Sequence, residues 1–322
     1  MATREIDGVY VSARDYLDEL RAELEARGEQ IVEIIERLVL VRGARGPAAW
    51  AQNTWLEPQL VPIESISDAA RKLRSMQRNW HLHSVAQHRR AALIQSRLPA
   101  IRYRALEFPC DPPSAPLGAW TLLDRDRLIA SARCSSSLPD GEISFVEDRG
   151  GPPNRAYLKL WEALTLARRR PGPGERCLDL GAAPGGWTWV LAGLGAEVLS
   201  MDRAPLAPEL AAHPRIEHRR GDAFKLRPDD AGRCDWIFSD LAAYPERIYA
   251  LATEWAEARP DAAMIFSVKL QGEPRPAAYR AFLDIPGSRL MHLSRNKHEL
   301  TWFRLPDGGP AEAASAHDTT PA

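Results

Sequence analysis

Lysine is scarce in this chain: of 42 basic residues among 322, five are lysines (Lys72, Lys159, Lys225, Lys269, Lys297) and the other 37 are arginines. Where a plain positive charge suffices, the sequence uses arginine, so a lysine that persists is a candidate for work arginine cannot do, such as releasing its proton. Net charge is also missing. The 42 basic and 43 acidic residues leave -1 at pH 7, which excludes a protein that is basic all over and leaves room only for local basic patches. No run approaches the ~18 apolar residues of a membrane span, and the opening MATREIDGVYV has neither the basic nor the apolar part of a secretory signal. The expectation is a cytoplasmic protein with no membrane partner. The four cysteines, Cys110, Cys134, Cys177 and Cys234, form no C-x-x-C pair. That excludes a zinc ribbon, a thioredoxin-type redox motif and a disulfide framework, and predicts buried apolar thiols with no metal site.

What is present divides along the chain. Residues 1–105 read as a region of their own. The stretch 11–27 (VSARDYLDELRAELEAR) places Tyr16, Leu17, Leu20 and Leu24 at helical spacing with Gly28 as a stop. Residues 30–42 are apolar, and either a helix or a strand fits them. From Ala69 to Leu106 there is no acidic residue, whereas Arg71, Lys72, Arg74, Arg78, Arg89, Arg90, Arg97, Arg102 and Arg104 supply positive charge around Trp80. This stretch is the candidate for nucleic-acid backbone contact, with Trp80 able to stack on a base. Residues 106–153 read as a β-rich linker built on the hairpin-like WTLLDRDRLIASARC. From 154 to 305 short apolar strands (176–180, 197–202, 235–239, 263–268, 289–293, 299–304) alternate with helices at 156–169, 187–194 and 245–258. That alternation predicts an α/β fold with a mainly parallel sheet and helices on both faces. The tail 306–322 is small and polar and is expected to be disordered.

The densest local signal is Cys177-Leu-Asp-Leu-Gly-Ala-Ala-Pro-Gly-Gly-Trp187, a strand running into a glycine-rich turn that opens a helix. Gly181 permits close approach of a ligand, and Gly185 and Gly186 leave amides free at a positive helix start. Asp202 ends the next strand, where a carboxylate can accept hydrogen bonds from ribose hydroxyls. Asp222, in Gly221-Asp-Ala-Phe224, follows a third strand and comes near an adenine edge. The spacing is not G-x-G-x-x-G, which disfavours a nicotinamide dinucleotide. Gly181, Ala182, Pro184, Gly185, Gly186, Trp187, Asp202 and Asp222 are therefore the candidate nucleoside-cofactor residues.

LDLGAAPGGW resembles the cofactor loop of the FtsJ-type ribose 2′-O-methyltransferases, and the resemblance extends through Asp202-Arg-Ala-Pro205, Gly221–Pro228 and Phe266-Ser-Val-Lys-Leu270, covering residues 154 to 304. It implies a Rossmann-like methyltransferase sheet, S-adenosyl-L-methionine as cofactor, and RNA as partner. Within the family the chain is most similar to members acting on a cytidine of 23S ribosomal RNA. It also implies a Lys-Asp-Lys-Glu catalytic set. Arg155-Ala-Tyr-Leu-Lys-Leu-Trp-Glu162 offers Lys159, DWIFSDLAAYP offers Asp240, MIFSVKL offers Lys269 and SRNKHELTW offers Glu299, with Asp240 also counted toward the cofactor. By the same resemblance, the smaller α+β N-terminal region is a divergent relative of the THUMP-type RNA-binding region.

A ribose hydroxyl is too weakly acidic to react unaided at neutral pH, so an enzyme must place it in line with the methyl group and help remove its proton. Lys269 is the candidate base. Desolvation and Lys159 would favour its neutral form, whereas Asp240 and Glu299 would oppose that. Rival chemistries fit less well: the strand end Ser239-Asp-Leu-Ala-Ala-Tyr lacks the Asn/Asp-Pro-Pro-Tyr pattern of base-amino methyltransferases, and Cys177 and Cys234 sit at or near the starts of strands, away from the carboxyl edge where cytosine C5 attack needs a cysteine. Two alternatives are a catalytically inactive RNA-binding protein on the same fold and a 2′-O-methyltransferase of another RNA.

Overall fold

A computed structural model describes residues 6–272 and 275–306. The chain forms two compact units: residues up to 105 together with 112–144, and residues 106–111 together with those from 145 onward. No helix among the described residues is long and apolar enough to cross a membrane.

The N-terminal unit runs β1 (Gly8–Ser12), α1 (Leu17–Ala26), β2 (Gln30–Ile35), β3 (Leu38–Arg42), β4 (Ala51–Leu56), β5 (Gln59–Pro62), α2 (Ile66–Met76), β6 (Trp80–Leu82), α3 (His88–Gln95), β7 (Gly118–Leu122), β8 (Arg127–Ser131) and β9 (Arg133–Cys134). One sheet has the order β2-β3-β1-β4-β9 and a second β5-β8-β7-β6. The expected helix 11–27 starts late. Val11 and Ser12 finish β1, which pairs with β3 on one side and β4 on the other, because the fully buried Val9-Tyr10-Val11 run satisfies strand packing better than an amphipathic stripe would. The open choice at 30–42 resolves to the hairpin β2–β3.

The supposed linker at 106–153 is a second difference. Its hairpin does form, as β7–β8, but β7 pairs with β6 and β8 with β5. Trp120, Leu122, Leu128 and Ala130 pack with Leu73, Trp80 and Ile94, while Ala119 and Ile129 pack with Val9, Leu40 and Trp55. A hairpin apolar on both faces must be covered on both, so it lies inside the unit. Trp80 is likewise core. It is 0% exposed, and its Nε1 donates to the carbonyls of Leu73 at 2.9 Å and Gln77 at 2.8 Å. The expected base-stacking role of Trp80 is therefore corrected: the ring is spent on the α2–β6 junction.

The C-terminal unit contains α4 (Tyr157–Ala167), β10 (Arg176–Leu180), α5 (Gly186–Gly193), β11 (Glu197–Asp202), α6 (Pro208–Ala211), β12 (Ile216–Arg220), α7 (Pro228–Ala231), β13 (Trp236–Ser239), α8 (Pro245–Ala258), β14 (Ala263–Lys269), α9 (Ala277–Arg280), β15 (Ser288–Met291) and β16 (Glu299–Arg304). The sheet order is β12-β11-β10-β13-β14-β16-β15. All neighbours from β12 to β14 are parallel, and β16 runs antiparallel between β14 and β15. This is the expected α/β architecture. Successive strands step one way from β10 to β12 and then restart on its other side with β13, which opens a crevice at the carboxyl ends of β10 and β13. From residue 307 the expected tail lies outside the described residues.

Candidate active site

Leu180 of β10 pairs with Ser239 of β13, so the next residues, Gly181 and Asp240, stand side by side at the crevice. Gly181 has φ +83, and a Cβ there would meet Leu241 Cδ2 at 2.7 Å. The turn can therefore be made only by glycine. Gly185 and Gly186 are buried at the start of α5, and added Cβ atoms would collide with Leu210 and with the Asn154 side chain respectively. Asp202 Oδ2 accepts the Ala183 amide at 3.1 Å and Oδ1 accepts the Ala204 amide at 2.9 Å. These bonds hold the carboxylate against the loop and leave a lone pair on each oxygen for a ligand hydroxyl. Asp222 accepts the Phe224 amide at 3.1 Å and pairs with the exposed Arg203 at 2.5 Å. The Arg203 hydrogen bond holds its carboxyl below the usual aspartate value.

Not every loop residue faces the crevice. Trp187 is buried, donates from Nε1 to the Ala156 carbonyl at 3.0 Å, and meets Phe238 edge-on. Ala182 packs with Leu206 and Leu210. Both anchor the loop from inside, whereas Pro184 is exposed.

The four members of the expected catalytic set come together. Lys269 and Glu299 are directly opposed in the β14–β16 ladder, which puts their side chains next to each other. Lys269 Nζ lies 3.0 Å from Glu299 Oε2 and 2.8 Å from Asp240 Oδ1. Lys159 enters from α4, its Nζ 2.7 Å from Glu299 Oε1 and 3.1 Å from Asp240 Oδ1. Two ammonium groups and two carboxylates thus alternate in a closed ring, which lets a buried cluster carry four charges with no net charge. Burial alone would push the Lys269 ammonium down, but the facing carboxylates of Asp240 and Glu299 outweigh it and leave it above the usual lysine value. Of the two opposing influences expected on Lys269, ion pairing prevails. Burial would raise the Asp240 carboxyl, and the charges of Lys159 and Lys269 reverse that to a value below normal.

Several residues in or under this site escaped sequence reasoning. Ser267 Oγ receives Lys159 Nζ at 3.4 Å. It stands two positions before Lys269 on β14, hence on the same face, and a lone hydroxyl in the apolar run MIFSV is the signal that could have found it. Asp179, in the middle of β10, is buried; its Oδ2 accepts Thr188 Oγ1 at 2.6 Å, and burial pushes its carboxyl up to about 7. Glu162 lies one turn after Lys159 and is also fully buried. Among the described residues, no group of His, Cys, Asp and Glu could hold a metal ion.

Residues 152–269 match the family model of FtsJ-like methyltransferases. Over 121 residues the chain is 46% identical to the ribosomal RNA large subunit methyltransferase M of Halorhodospira halophila, an overlap of 37% of this chain and 35% of that protein. The protein of the same name from Saccharophagus degradans is 40% identical over 147 residues, covering 44% and 42%. That of Marinobacter nauticus is 33% identical over 185 residues, covering 52% and 51%. The chain thus spans about a third to a half of the length of the curated relatives it matches.

Proposed function

We propose that this chain, which carries the FtsJ-like methyltransferase region at 152–269, transfers a methyl group from S-adenosyl-L-methionine to a ribose 2′-hydroxyl of RNA. The observation that carries the reading is the closed ring of Lys159, Asp240, Lys269 and Glu299 beside the glycine loop. The relatives named for large-subunit ribosomal RNA support that RNA as the acceptor, while a cytidine of 23S RNA and a cytoplasmic location carry over from the family resemblance of the sequence. The convergence of both lysines on one pair of carboxylates favours catalysis over a binding protein that has lost it.

The cofactor residues present fit the group. Gly181, Gly185 and Gly186 let the loop turn tightly against Leu241, Leu210 and Asn154, the start of α5 offers amides to a carboxylate, and Asp202 and Asp222 suit ribose hydroxyls and the adenine edge. When bound, the sulfonium supplies an activated methyl group. The chain's own residues then place the hydroxyl and remove its proton. Asp240 and Glu299 hold the two amines at fixed positions, and Lys159 offsets negative charge as the hydroxyl loses its proton. Lys269 takes that proton once its own has left toward solvent, being the more exposed of the two lysines, with a side chain 28% exposed against 9% for Lys159. The exposed Arg78, Arg89, Arg102 and Arg104 supply basic surface for RNA backbone.

The test is transfer from methyl-labelled S-adenosyl-L-methionine to ribosomal RNA taken from cells lacking the protein, followed by mapping of 2′-O-methyl positions. Wild-type chain is expected to modify one position, and Lys269→Arg to lose transfer while keeping its fold and cofactor affinity. Normal turnover in Lys269→Arg removes Lys269 from the role of base, and no labelled position with wild type removes the activity.

A further inference from the structure

We infer that Glu162 is a positioning residue that fixes the distance between Lys159 and Glu299 by clamping the turn ahead of β16 onto α4; the inference rests on the function proposed above. Glu162 Oε1 accepts both the backbone amide of Ser294, at 2.8 Å, and its hydroxyl, at 2.9 Å. Ser294 lies in the connection 292–298 that leads from β15 into Glu299, the first residue of β16. The Glu299 carboxylate is held by Lys159 at 2.7 Å. Lys159 and Glu162 are three residues apart on α4, hence neighbours on one face of the helix. Two ties therefore join the same helix to the same turn, one at the reacting groups and one behind them.

The turn is internally stiff. Asn296 Nδ2 donates to the Glu299 carbonyl at 3.1 Å and to Thr301 Oγ1 at 3.1 Å, and His292 Nε2 lies 3.1 Å from the Lys297 carbonyl. A stiff turn moves as a body, so a clamp at Ser294 is felt at Glu299. Arg295 adds an exposed tie to Glu147, which also pairs with Arg155 just ahead of α4.

A space-filling role does not account for a carboxyl here. Glu162 is 2% exposed, and its second oxygen, Oε2, is buried without a hydrogen-bond partner. What the carboxyl adds is the double acceptor at Oε1 for Ser294, and an apolar side chain of similar size in its place leaves the Ser294 amide and hydroxyl without that acceptor.

The test compares Glu162→Ala, Glu162→Gln and Ser294→Ala in the full chain by kcat, KM for S-adenosyl-L-methionine and thermal unfolding. Glu162→Ala is expected to lower kcat about 10- to 100-fold, the cost of a misplacement on the order of 1 Å, with KM for S-adenosyl-L-methionine within about two-fold of wild type. Glu162→Gln keeps an oxygen that accepts both donors and is expected to recover most of that kcat. Ser294→Ala, which loses one donor and preserves the fold, should fall between. An active wild type with undiminished kcat in Ser294→Ala and in folded Glu162→Ala overturns this inference alone, as does Glu162→Gln as slow as Glu162→Ala. A wild type that transfers no methyl group overturns it together with the proposed function.

Discussion

At the scale of single residues, the decisive one is Lys269, because the same carboxylates that orient it also keep its proton on. Burial favours the neutral amine, and Asp240 and Glu299 outweigh burial, so its ionisation lies above the ordinary lysine value. At neutral pH only a small fraction is neutral, and that fraction grows tenfold for each unit of pH below the ionisation point. The expected consequence is that log kcat/KM rises with unit slope from pH 7 to 9. Glu299→Gln removes one of the groups that raise the pKa and should move the profile to lower pH, while lowering its plateau about 10- to 100-fold through lost orientation. A flat wild-type profile over this range would mean that Lys269 is not the group that must lose a proton.

Elements explain why some residues could be read from the sequence and others could not. The run RCLDLGAAPGG announces a strand, a turn and a helix in order, and the structure has β10, Gly181 and α5 there. Strand-end residues were legible because parallel strands from one switch point bring their carboxyl ends together. The N-terminal unit is less legible in its sequence. Val9-Tyr10-Val11 belongs to a strand only because β3 and β4 flank it, a pairing of distant segments that no local period contains. Trp80, set among arginines, suggests an exposed ring, yet the core it joins includes residues of α3 and β7 that lie 11 to 42 positions further along the chain.

Asp179 also belongs to this scale, since its position inside β10 sets its chemistry. Burial raises its carboxyl from 3.8 to about 7, Asp240 and Asp202 adding to the effect and Thr188 opposing it. Between those values the folded chain holds a proton that the unfolded chain has released, so stability falls as pH rises through about 4 to 7 and is level above. Asp179→Asn keeps an acceptor for Thr188 and loses this dependence. Its stability relative to wild type, followed by urea unfolding, should increase by up to ~4 kcal/mol between pH 4 and 8. A constant difference between the two proteins across that range would show that Asp179 stays ionised in the fold.

At the scale of the whole molecule, the proposed function asks for affinity to RNA from a chain with almost no net charge. A local surface is therefore required, and the acid-free stretch 69–106 is the candidate for it, although part of its charge is already used. Arg71 and Lys72 pair with Asp68, and Arg74 and Arg97 bond to the Arg97 carbonyl and to Ser67. Arg102 and Arg104 are exposed, and they alternate with Ile101 and Tyr103, which line a cleft of about 640 Å³ together with His81 and Gln95. If these two arginines meet phosphates, each contact releases a counterion. The double variant Arg102→Gln/Arg104→Gln should then bind RNA more weakly, by a similar factor for every sequence tried. Its salt dependence, the slope of log K against log salt concentration, should be shallower by roughly 1.4 to 1.8, at about 0.7 to 0.9 per lost contact. At saturating RNA its kcat should equal that of wild type, because neither residue belongs to the ring of charges around Asp240. Filter binding over a range of salt decides it: an unchanged slope places the RNA-binding surface elsewhere, and a sequence-dependent loss makes these arginines readers of bases.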